Sequence, residues 1–98
     1  MRKRYIVLVD NPTAEETAAI TNLFRGPNYG WWHWIKGVWL VVCMDDTQTS
    51  ETICNSARLV SGNKTVLVFD IQGGGQWAGF GPNQGEKNMF PWLQDHWK

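Results

Sequence analysis

Four short runs of β-branched and aromatic residues, set at unequal intervals, constrain this chain more than any other feature. They are Tyr5–Val9, Trp31–Ile35, Val38–Cys43 and Thr65–Ile71, each of strand length and most of them closed by turn formers. Only Lys36 and Gly37 separate the second run from the third, which reads as a tight hairpin. The other two intervals are long enough for a helix. In the first, Thr13 is followed three residues later by Glu16, a capping box in which the carboxylate reaches back to the cap's own N–H. Ile20, Leu23 and Phe24 continue one apolar face, and Gly26-Pro27 ends the helix. In the second, a helix is predicted from about Thr49 to Val60, with Ile53, Ala57 and Val60 on one face and Gly62 as its stop. Strand, helix, strand, strand, helix, strand is the split βαβ order. The expected fold is therefore α+β and ferredoxin-like, βαββαβ, a four-stranded antiparallel sheet with two helices on one face.

At 98 residues the chain has material for one domain. Its character changes at Gly73-Gly74-Gly75, after which Gly79, Gly81, Pro82 and Gly85 mark a loop or a wrapped tail. Phe90-Pro91-Trp92-Leu93 and Trp97 are expected to dock back on the body. Residues 1–72 thus read as the ferredoxin-like core, and 73–98 as a glycine- and tryptophan-rich tail packed on the core or on a dimer partner. Two helices cover one face of the sheet, and the strands should then alternate apolar with polar. They do not: Ile6 and Leu8 oppose Val7 and Val9, and Leu40 and Val42 oppose Trp39 and Val41. The second face needs cover, from another copy, the tail or a ligand. The expectation is a homodimer, with the tail helping to seal it.

Nine basic and nine acidic side chains leave no net charge, which speaks against a protein that lives on extended nucleic acid. Arg2-Lys3-Arg4 reads as a solvated leader to the first strand. Cys43 and Cys54 read as buried free thiols of a reducing compartment. Tyr5–Val9 is too short for the apolar core of a signal peptide, and no run reaches the roughly 18 apolar residues that span a bilayer. The expectation is a cytoplasmic protein with no membrane partner.

Seven tryptophans are many for so small a chain. Trp31, Trp32 and Trp34 surround His33 in one run, which places indoles on both faces of a strand, and planar bases stack on such rings for about 1–3 kcal/mol each. Gly74 and Gly75 offer backbone N–H groups to phosphates, and Trp77 follows at once. Trp31, Trp32, His33, Trp34, Gly74, Gly75 and Trp77 are the candidate ligand-binding residues of a non-enzymatic protein for a nucleotide-like molecule. Size and composition extend that reading to a phage or mobile-element protein that sequesters a cyclic nucleotide signal of host defence. No Ser-His-Asp set, Cys-His neighbours, CxxC pair or Walker loop is present, so no catalytic residue and no cofactor are assigned. Asp10, beside Asn11 at a strand end, is the alternative catalytic and metal position, for Mg²⁺. Asp45-Asp46 reads as an acidic pair at a helix start. A protein-interaction module, adaptor or inhibitor, is the further alternative.

From Tyr5 to about Trp77 the chain also resembles the small CRISPR-associated ferredoxin-like nucleases and their SinR-like relatives. The resemblance is carried by the opening strand ending in Asp10, by Gly37-Val-Trp-Leu-Val41 after an aromatic stretch, by the helix opening near Thr49-Ser50, and by Val66-Leu-Val-Phe-Asp-Ile71 followed by Gln76-Trp77-Ala78. It implies homodimers that pair sheet faces. It further implies either a metal-dependent endonuclease, with Asp10 of each protomer on the metal, or a non-enzymatic nucleic-acid-binding or adaptor role. The chain departs from that pattern in its lack of excess basic residues, in Trp31-Trp32-His33-Trp34 and in its glycine-rich tail.

Overall fold

The structure, a computed structural model, describes residues 3–71 and 90–97. The elements run β1 (Lys3–Val9), α1 (Ala14–Leu23), β2 (Tyr29–Ile35), β3 (Val38–Cys43), α2 (Ser50–Val60), β4 (Val66–Asp70) and α3 (Phe90–His96). The strands form one antiparallel sheet in the order β2-β3-β1-β4. This is the ferredoxin-like arrangement expected from the order of the runs.

Both helices start where short-range chemistry places them. Thr13 Oγ1 accepts the Glu16 N–H at 3.1 Å while Glu16 Oε1 accepts the Thr13 N–H at 2.8 Å. Thr49 and Thr52 make the same reciprocal pair at the head of α2, at 3.2 and 2.9 Å. The hydroxyl of Thr52 does there what a Glu or Gln usually does. The inner face of α2 departs from expectation at its end. It continues from Ala57 to Ser61, which is fully buried, while Val60 is 37% exposed. One helical turn of four residues rather than three sets that choice.

The helix-side core joins Tyr5, Val7 and Val9 of β1, Trp39, Val41 and Cys43 of β3, Ile20 and Phe24 from the α1 segment, and Ile53 of α2. Trp39 lies at its centre with no exposed surface. Its indole N–H donates to Thr21 Oγ1 at 3.0 Å, and the Thr21 hydroxyl donates to the Thr17 carbonyl at 2.9 Å, so the one polar atom of the ring is satisfied beneath α1. Cys43 belongs to this core. Cys54 is only half-buried, against the expectation of two buried thiols.

The Lys36-Gly37 hairpin is tight enough to require glycine. Gly37 has φ of +77°, and a Cβ there would run into the Val9 carbonyl oxygen. Its own carbonyl accepts the Val9 N–H at 2.7 Å, which ties the hairpin to the end of β1. Gly37→Ala is expected to lower the unfolding free energy by at least about 1–2 kcal/mol, the cost of a left-handed residue with a side chain. A urea titration measures it, and a change below about 0.5 kcal/mol, the range of an ordinary surface substitution, would contradict this geometry.

The second face of the sheet is covered in part by the chain itself. Leu93 and Trp97, one turn apart on the α3 segment, are buried against Trp32 and Val42, with Ile6, Leu40, Ile71 and Trp92 packed around them. This cover lies over β2, β3 and Ile6 in the middle of β1, and reaches Ile71 just past β4. It leaves the outer strand, β4, with Leu67 at 53% and Phe69 at 46% exposure.

Candidate functional site

The four residues of the aromatic run do not converge on one site. Trp31 pairs with Val41 and lies half-buried on the helix face, with the Arg25 guanidinium 5.6 Å from its ring centre, a cation–π contact. His33 stacks on Trp39 at 4.3 Å between ring centres and 6° between planes. Its Nδ1 lies 2.8 Å from the Val38 carbonyl, and since a carbonyl only accepts, Nδ1 carries the proton. Trp32 faces the other way and is 3% exposed beneath α3. Only Trp34, at 41% exposure, presents much of its indole to solvent. The run therefore puts indoles on both faces, as alternation predicts, but internal partners take three of the four rings. Gly74, Gly75 and Trp77 lie outside the described residues.

The acidic candidates are placed by turns. Asp10 is exposed just past β1, and its N–H donates to the Thr65 carbonyl at 3.0 Å. Asn11, with φ of +44°, turns its Oδ1 to the Lys36 ammonium at 3.1 Å. Asp45 accepts the Thr47 hydroxyl at 2.6 Å and the Thr47 N–H at 2.9 Å, and these bonds hold its carboxyl below the usual carboxylate range. Among the described residues no three His, Cys, Asp or Glu side chains gather where they would hold a metal.

The groove that the fold builds at one end of this sheet was not singled out in the sequence, although Asp10 on its rim was. At the hairpin end of the sheet, Leu8, Val38 and Leu67 floor an open groove of about 260 Å³, with Asp10, Lys36 and Thr65 on its rim. Its walls come from the turns after β1, after β2 and before β4, which are far apart in sequence. The strip continues along β4, because Leu67 lies opposite Leu8 and Phe69 opposite Ile6 on the second face. Ile35, 53% exposed, pairs with Val38 at the same end. The apolar character of both faces of the fourth strand, where Val66 and Val68 oppose Leu67, Phe69 and Ile71, is legible in the sequence; the groove at its end is not.

A smaller cavity of about 80 Å³ lies at the opposite end, between Phe24, Tyr29, Gln48 and Ile53. It has room for a few waters. Burial pushes the Tyr29 phenol up to about 12, and the neighbouring Cys43 thiol, with which it is hydrogen-bonded, adds to the shift. The unfolded phenol loses its proton near its ordinary value of 10.0, whereas the folded one holds it to about 12. Across that window the folded state binds more protons, so stability is complete below pH 10 and falls as pH rises toward 12. Tyr29→Phe is expected to remove part of this alkaline loss, read as a shallower fall of Tm with pH. An unchanged slope would contradict it.

Comparison with known proteins finds no family model, no curated protein and no solved structure that matches the chain significantly.

Proposed function

We propose that the protein is a non-enzymatic interaction module that engages a protein surface through the strip of sheet left open beside α3. The observation that supports this most directly is the exposure of Leu67 and Phe69, about half each, next to an open groove floored by Leu8 and Val38. Apolar surface returns about 25 cal/mol for each Å² removed from water, and a contiguous apolar strip on a small domain is the usual mark of a contact surface. The other half of the same face already holds apolar anchors: α3 seats Leu93 and Trp97 there. Helix-in-groove contacts use that spacing.

A second reading rests on the groove's rim. An ammonium at Lys36 and a carboxylate at Asp10 stand over an apolar floor. That combination suits a compact nucleotide-like ligand, with the base on Leu8 and Leu67 and a phosphate on Lys36. The sequestration of a cyclic nucleotide by a phage protein belongs to this reading. The indole sandwich expected from the sequence contributes less to it, since Arg25, Trp39 and α3 already lie against Trp31, His33 and Trp32. The metal-dependent nuclease comes third: Asp10 is exposed at a turn, where its N–H donates to the Thr65 carbonyl, a role that the turn itself accounts for.

A thermal-shift panel separates the first two. Mononucleotides, dinucleotides and cyclic oligonucleotides are expected to leave Tm unchanged. A shift of several degrees that Lys36→Ala abolishes would transfer the function to the nucleotide reading.

A further inference from the structure

Among the described residues the sheet has two edges, β2 and β4, and β4 is the better suited to accept another strand. The register of β2 is irregular between Trp32 and Ile35, and such irregularity blunts an edge. β4 is regular. Of its five residues only the last, Asp70, is charged, and none is proline or glycine, so the usual protections of an exposed edge are confined to its end.

Hydrogen bonding fixes which groups of β4 point outward. The Asp10 N–H donates to the Thr65 carbonyl at 3.0 Å, and the Ile71 N–H donates to the Arg4 carbonyl at 2.8 Å. Residues 65, 67, 69 and 71 therefore turn their backbone groups toward β1, and Val66, Val68 and Asp70 turn theirs away from it, where the Val66 carbonyl accepts the Cys54 thiol at 3.9 Å and keeps a second lone pair for another donor.

We infer that this edge pairs with β4 of a second copy, antiparallel about a two-fold axis at Val68, so that the two sheets become one. The inference rests on reading the open strip as a contact surface, and it names the partner. The outward groups are symmetric about Val68, so Val66 bonds the partner's Asp70, Val68 bonds the partner's Val68, and Asp70 bonds the partner's Val66. Leu67 then lies opposite the partner's Phe69, twice, in the closer, non-hydrogen-bonded positions of an antiparallel ladder. Four half-exposed apolar side chains meet on the second face. The carboxylates of the two Asp70 residues stay apart, each opposite a valine. The partner's Phe69 also lands beside Leu67 at the groove, adding a wall that one chain lacks. Pairing of sheet faces, by contrast, would have to accommodate α3, which already lies on that face.

The register gives the test. Sedimentation equilibrium is run on the wild type, on L67K/F69K and on L67K/F69E, with circular dichroism as the check on folding. The first variant sets like charges opposite each other across the two-fold axis. The second sets opposite charges there, the lysine introduced at one position facing the glutamate introduced at the other on the second copy. The wild type is expected to be a dimer. L67K/F69K should weaken it at least about tenfold, and L67K/F69E should recover most of that loss. Amide exchange on the wild type gives an independent measurement: Val66, Val68 and Asp70 should be protected at high concentration and exposed on dilution. A monomeric wild type, two variants equally weak, or outward amides indifferent to concentration would each overturn the inference. A monomer that still binds another protein through Leu67 and Phe69 would leave the interaction reading standing and remove this one.

Discussion

Trp39→Ala lowers the unfolding free energy by about 3–5 kcal/mol, the largest single-residue effect expected in this chain. Domains of this size have about 5–15 kcal/mol in total, so the variant sits near the limit of folding at all. Three contacts meet at this ring. It has no exposed surface in the middle of the helix-side core, its N–H holds Thr21 beneath α1, and its face carries His33. Truncation opens a cavity that β1 and α1 cannot close without leaving the strand register, and it removes the partner of the imidazole. Trp39→Phe separates volume from hydrogen bonding, because it keeps most of the ring and loses the donor, at about 1–2 kcal/mol. Urea unfolding followed by circular dichroism should rank wild type above Phe and Phe well above Ala. If Ala and Phe were equal, packing at this position would not be what holds α1 to the sheet.

Removing both anchors of α3 has a different outcome. Leu93 and Trp97 are 4% and 3% exposed, and both belong to one buried cluster with Trp32 and Val42. A helix of seven residues does not persist without tertiary contacts. L93A/W97A therefore releases the segment rather than leaving a cavity, and the cost is its docking energy, about 3–5 kcal/mol at most by comparison with single large-to-small changes. The four strands and two long helices stay folded. The newly exposed face should bind the dye ANS, and emission from Trp32 should shift to the red. An unchanged emission spectrum with no dye binding would mean that α3 does not cover this face.

The parts of the fold that could be read from residues alone are those fixed within a few positions along the chain. The Thr13–Glu16 box, the two-residue hairpin at Gly37 and the four strand runs depend on local geometry, and each appears where its residues place it. Alternation along β2 also placed Trp31 and Trp32 on opposite faces. What alternation cannot give is the cover over each face. Arg25 over Trp31 comes from just past α1, and Leu93 over Trp32 comes from the far end of the chain. The same holds for the groove: Asp10, Lys36 and Thr65 meet only because three turns lie at one end of a β2-β3-β1-β4 sheet. Val60 and Ser61 show the limit on a finer scale. Both fit an apolar face by spacing, hydrophobicity favours valine, and the helix buries the serine, whose hydroxyl donates to the Arg58 carbonyl at 3.3 Å.

The most direct test is native mass spectrometry of the chain purified from cells that make it, alongside L67K/F69K. If the open strip of the sheet is the working surface, the wild type carries a protein-sized partner, a second copy or another chain, and the variant loses it while keeping its fold. A bare monomer, or a monomer holding only a nucleotide-sized molecule that the variant retains, would contradict that claim.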